Sequence, residues 1–259
     1  MKQFLLACIS VIMYVNVFPS HETNLETGIN IIEVSQHLLL AAKTGTPTDS
    51  LKNLLTTISS NYLTDQLTND DEKKVFWINI YNAYTQIILS KNPDRYKNRS
   101  DFFSDKQIAI AGTLLSLDDI EHGILRRSKI KWSGGYLNKP FPAKLEKKLR
   151  VSKVDYRIHF TLNCGAKSCP PIAFYKPEQL DKQLDVATKA SLSGETEYKP
   201  GENTVYLPAL MGWFRADFGG KNKMIDLLKT KGIIPVDKNP NIKFKDYNWD
   251  LFLEHYKTE

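Results

Sequence analysis

DDEKKVFWINIYNAYTQIILSK, residues 70–91, is the stretch on which the fold turns. Asn69 or Asp70 can cap it, and Asp71 and Glu72 stand in the first turn, where the helix dipole favours anions. Ile80, Tyr84 and Ile88 recur at helical spacing, with Phe76, Ala83 and Ile87 beside them. Apolar residues surround the helix on nearly all sides, so it is expected inside the core. Asn79 and Asn82 then become buried amides, and each needs a hydrogen-bond partner. Tying down a neighbouring loop is the simplest use for both.

Upstream, residues 29–43 and 50–59 carry helix-period apolar residues. Downstream, 107–116 (QIAIAGTLLS) reads as two short strands around Ala111-Gly112. Ser116 to Asp119 fits a capping box, with Asp in place of Glu, and opens a helix through LDDIEHGILRRS. Residues 156–163 (YRIHFTLN) alternate strictly and are expected to form a strand. Its polar face would carry Arg157, His159, Thr161 and Asn163. Helices are expected at 177–192, 208–218 and 221–231, a strand at 204–208, and a final strand and turn in the tail. Helices come first and mixed elements follow. This order predicts an α+β fold, with a helical N-terminal part packed on a small mixed or antiparallel sheet.

The 259 residues divide by this reading into three parts. Residues 1–20 read as a signal peptide, 21–68 as an N-terminal helical segment and 69–259 as the core domain. Lys2 precedes a hydrophobic run from Phe4 to Phe18, and polar text follows from Ser20. Leu5-Leu6-Ala7-Cys8 matches a lipoprotein box in letters, but too few apolar residues precede Cys8. A secreted or periplasmic protein without a lipid anchor or a membrane span after leader removal is therefore expected. Its other two cysteines would meet an oxidising compartment. The net charge of +6 suggests nucleic acid, but Lys and Arg are spread along the whole chain, so no nucleic-acid partner is expected.

Three places could carry chemistry. Asp118, His122 and Arg126 fall at i, i+4 and i+8, a polar stripe in which Asp can fix the His tautomer. An ordinary solvated face is the competing reading. The second place is the polar side of 156–163, as a cleft wall with His159 and Asn163 pointing inward, or as an ordinary half-exposed sheet. The third is the loop from Cys164 to Cys169. It allows a disulfide, a thiolate nucleophile with His122 or His159 as base, or a metal site from these four residues. The metal lacks the usual paired spacing, so no metal is expected. No Gly-rich phosphate loop, HExxH or GxSxG occurs, and no cofactor is expected. Trp213, Phe214 and Phe218 read as core, and Trp249 as a packing anchor.

FWINIYNAY (76–84), IEHGILR (120–126), DYRIHFTLNCGAKSCPPI (155–172), WFRADFG (213–219) and YNWDL (247–251) together resemble the domain of unknown function 547 family. The resemblance spans about 70–251, and its most specific part is the HFxLNCGAxSCPP run. It implies a shared fold and cleft and brings no agreed activity. It also implies similarity to papain-like or transglutaminase-like α+β proteins, in a permuted order because His159 precedes the cysteines. It further implies that the fold does not depend on a Cys164–Cys169 disulfide.

Two functions follow as expectations. One is a non-catalytic envelope module that binds a small molecule, peptide or glycan. The other is a thiol-dependent hydrolase or acyl transferase acting on peptide or amide bonds. In the second, Cys164 or Cys169 attacks, His122 or His159 is the base, and Asn163 or Asn79 orients it. Asn79, Asn82, Glu121, Arg126 and Arg157 are the other expected cleft residues.

Overall fold

A computed structural model describes residues 28–257. The expected leader lies outside them. Three helices come first: α1 (Ile31–Thr44), α2 (Asp49–Thr57) and α3 (Ser60–Gln66). Asn30 caps α1 through its side chain, and Gly45 ends it in the left-handed conformation. The central helix α4 (Asp70–Lys91) starts at a full Asn69/Glu72 capping box. From Val75 to Gln86 every side chain of α4 is buried, as the all-round apolar pattern requires. After α5 (Arg99–Ser104), β1 (Ile108–Ile110) and β2 (Thr113–Leu115) form an antiparallel hairpin. Its two-residue turn needs positive φ at both Ala111 and Gly112, and both have it. The N–H groups of that turn donate to Leu55 and Thr56 at the end of α2.

The remaining elements are α6 (Lys144–Leu149), α7 (Leu180–Glu195), β3 (Glu197–Lys199), β4 (Thr204–Leu207), α8 (Ala209–Trp213), α9 (Gly220–Thr230) and β5 (Asn241–Phe244). β4 pairs antiparallel with β3 and parallel with β5. The fold is α+β. Its buried residues form two cores. The larger gathers around α4 and takes in α1, α2 and the hairpin. The smaller holds the three-stranded sheet, α8 and α9. Among the described residues no helix is long and apolar enough to cross a membrane.

Two local expectations are corrected. Residues 156–163 are not a strand: Tyr156–Phe160 form a 3₁₀ turn, capped by the Asp155 side chain on the Arg157 N–H. The strict alternation has another cause. The turn sits where the two cores meet, sending Ile158 into the larger and Phe160 into the smaller. The helix expected over 208–218 stops at Trp213, and Phe214 leaves helical geometry.

Candidate functional site

Ser116 and Asp119 build the entry to the site. The Ser116 N–H donates to Asp119 Oδ2 at 2.7 Å, and the Asp119 N–H returns a bond to Ser116 Oγ at 3.0 Å. The helix they open becomes a π-helix over Asp119–Leu125. The Arg126 N–H reaches the Glu121 carbonyl, and that of Ser128 reaches Gly123, each five residues back. Such wide turns are frequent at functional sites. Here the turn buries Arg126 completely and half-buries Asp118 and Glu121.

The stripe read from the sequence is a contact chain. Arg126 Nη1 donates to His122 Nδ1 at 2.9 Å, and His122 Nε2 lies 3.5 Å from Asp118 Oδ1. Arginine has no acceptor, so Nδ1 must accept and the His122 proton sits on Nε2, towards Asp118. Lys131 donates to both Asp118 oxygens at 2.9 Å. Burial pushes the Asp118 carboxyl up, but bonds from His122 and Lys131 together outweigh it and hold it below its ordinary value. The Tyr81 hydroxyl of α4 donates to Glu121 Oε2 at 3.4 Å.

The partner that the sequence reading missed is Asp217. Its Oδ2 accepts from Arg126 Nε at 2.6 Å and from His159 Nε2 at 2.9 Å. Burial again pushes this carboxyl up, and the bonds from His159 and Arg126 again outweigh it. His159 moves the other way. Burial lowers its proton affinity, Asp217 opposes, and the net is a value below the ordinary 6.5. The ring lies flat on Phe214, with centroids 4.0 Å apart and planes 7° from parallel. Arg126 lies over the same Phe214 ring at 4.4 Å. Phe214 is therefore a wall of the site, not an anonymous core residue.

His159, His122, Glu121, Asp118 and Cys164 border one cavity of about 430 Å³. Its other walls are mainly aromatic: Phe103, Trp132, Trp213, Phe214, Tyr247 and Trp249. Trp213 and Trp249 stack at 5.5 Å and 17°, and Trp213 keeps 41% of its surface exposed. This corrects the expectation that these aromatics only pack.

Cys164 and Cys169 form a disulfide. The Tyr247 hydroxyl lies 3.3 Å from the first sulfur and 3.2 Å from the second. A thiolate nucleophile is therefore not present in this oxidised state. The three asparagines serve the scaffold, which corrects their placement in the cleft. Asn82 holds the Thr161 carbonyl and the Asn163 N–H. Asn79 holds Ser35 and the Tyr175 backbone. Asn163 bonds Pro170 O and the Gly165 N–H, so its side chain braces the cysteine loop. Arg157 also lies elsewhere, paired with Asp155, Asp181 and Asp185. Among the described residues no group of three or more His, Cys, Asp or Glu could hold a metal ion.

Residues 64–191 match the model of the family described as Protein of unknown function, DUF547. No curated protein and no solved structure matches the chain. The matched span carries His122, Arg126, His159 and the cysteine pair, whereas Asp217, Phe214, Tyr247 and Trp249 lie beyond it. Residues 64–191 of this chain belong to the domain of unknown function 547 family.

Proposed function

We propose that the chain is a binding module of the cell envelope whose pocket takes a ligand with a flat apolar face and hydrogen-bond donors, such as a sugar ring. The observation that carries this reading is the lining of the 430 Å³ cavity, where the Trp213–Trp249 stack and the carboxylates Asp118 and Glu121 share one space. Indole faces favour flat C–H surfaces, and ionised carboxylates accept from hydroxyls. Export is supported by the Lys2-to-Phe18 pattern. The test is a titration of envelope oligosaccharides and short peptides, followed by tryptophan fluorescence. At least one sugar is expected to bind, and Trp213→Ala to weaken it about tenfold or more. A panel with no binder, or a binder indifferent to Trp213→Ala, removes the reading.

One observation favours a second reading. His159 gives Nε2 to Asp217, no protein group of the described residues bonds Nδ1, and the ring borders the same cavity as Cys164. In a thiol-dependent hydrolase, reduced Cys164 would attack, His159 would act as base and Asp217 would orient it. Asp217 then takes the role expected of Asn163 or Asn79. His122 does not suit the base role, because its Nδ1 is held by Arg126. This reading requires hydrolysis of amide or ester probes by the reduced protein, abolished in both Cys164→Ala and His159→Ala.

A further inference from the structure

We propose that Cys164–Cys169 is a thiol-exchange site at which an incoming thiolate attacks Cys164 Sγ and Cys169 departs as the thiolate. The inference rests neither on the pocket's ligand nor on hydrolysis.

The loop around the pair does not need the bond to keep its shape. Asn163 clamps Gly165 and Pro170. The Lys167 N–H donates to Asp250 O, and that of Ser168 to Asn248 O. The Asn248 N–H returns a bond to Ser168 Oγ. A disulfide between cysteines only five positions apart also constrains the unfolded chain less than one that closes a long loop.

The two sulfurs are unequal. Cys164 is half-buried and borders the aromatic pocket. Cys169 is 3% exposed. Its sulfur already faces two donors, the Cys164 N–H at 2.9 Å and the Tyr247 hydroxyl at 3.2 Å. Burial raises the Tyr247 hydroxyl well above its ordinary value, so it keeps its proton. A neutral disulfide sulfur is a weak acceptor and a thiolate is a strong one. The Cys164 N–H singles out Cys169, so it acts most as charge develops there; the Tyr247 hydroxyl, 3.3 Å from Cys164 Sγ and 3.2 Å from Cys169 Sγ, can turn to the same charge, and a stabilised thiolate leaves faster.

The step balances. The attacking sulfur forms a bond to Cys164 Sγ, the Cys164–Cys169 bond breaks, and its electron pair leaves on Cys169. With a dithiol, the second thiolate attacks the substrate sulfur of the mixed disulfide and expels Cys164. The substrate is oxidised by two electrons to a disulfide, and the cysteine pair is reduced to two thiols.

The test uses the folded, oxidised chain and glutathione as the probe thiol. The reaction is quenched with acid, free thiols are alkylated, and peptides are located by mass spectrometry. Glutathione is expected on Cys164 and the alkyl group on Cys169. Tyr247→Phe keeps both sulfurs and should slow exchange about tenfold, the effect of one hydrogen bond to a charged group. Circular dichroism of that variant should match the parent. Glutathione on Cys169, an unchanged rate in Tyr247→Phe, or a folded chain that stays inert while the urea-unfolded chain exchanges would each overturn the proposal.

Discussion

His159 Nε2 and Asp217 Oδ2 are 2.9 Å apart, although 58 residues separate them in the chain. Each side chain is only 1% exposed. The same oxygen takes the Nε–H of Arg126, whose side chain is fully buried. One carboxylate thus joins the π-helix, the 3₁₀ turn and the segment after α8. Those three pieces belong to two hydrophobic cores, and the shared oxygen ties the cores together at the pocket. The positive charge of Arg126 has no other acidic partner among the described residues.

Asp217→Asn is expected to destabilise the fold by about 3–5 kcal/mol, the cost of leaving a buried charge without its partner. An amide keeps the shape but cannot balance the guanidinium. Replacing Arg126 and Asp217 together by Met and Leu should cost less than Asp217→Asn alone, because no uncompensated charge remains. Urea unfolding of the three proteins measures both. A loss below about 1 kcal/mol in the single variant would mean that solvent already reaches Arg126.

The same pair predicts a two-step acid response. His159 has a folded value below its ordinary 6.5, so the unfolded chain binds the extra proton as pH falls through that value. Stability should begin to drop below about pH 6.5 and level off beneath the folded value. Asp217 is also lowered, so its contribution is fully present above about pH 3.9 and is lost as pH falls through its folded value. His159→Gln should remove the upper step and leave the lower one. Unfolding free energies between pH 8 and pH 3 give the curve; an upper step that persists in His159→Gln assigns it to another group.

What the sequence made legible was local. The α4 helix was readable because Asn69, Glu72 and the encircling apolar residues state a start and a burial at once. The hairpin was readable from Ala111-Gly112, and the Asp118–His122–Arg126 contacts from their spacing. Asp217 was not. Its partners lie far away in the chain, and its only signal was one acid set among aromatics in WFRADFG. The turn at 156–160 was misread because a junction between two cores imposes the same alternation as a sheet. Asn163 was misplaced because the alternation put it beside His159 on the polar face of an expected strand, whereas the chain turns there and Asn163 bonds the cysteine loop.

Gly135 offers the last test, because it holds a loop against the Asp217 pair. Its φ is +91°, and a Cβ there would collide with Asp217 Oδ1 and stand 3.1 Å from Arg126 Nη2 and 3.2 Å from Ala216 Cβ. The Ala216 N–H donates to Gly134 O at 3.0 Å, so the loop cannot simply lift away. Gly135→Ala must therefore push on the carboxylate that supports His159. Gly112 is the control, since its φ of +68° is also positive and nothing lies within 4 Å of its Cβ position. Gly112→Ala should cost about 1–2 kcal/mol from backbone strain alone. Gly135→Ala should cost more, with the excess coming from its wider φ and from the displaced ion pair. It should also lower the proton affinity of His159 further, because Asp217 is the group that raises it. Histidine NMR titration beside urea unfolding reads both effects. Equal costs and an unmoved His159 titration would show that the loop over Asp217 yields freely, and that Gly135 is there for its backbone alone.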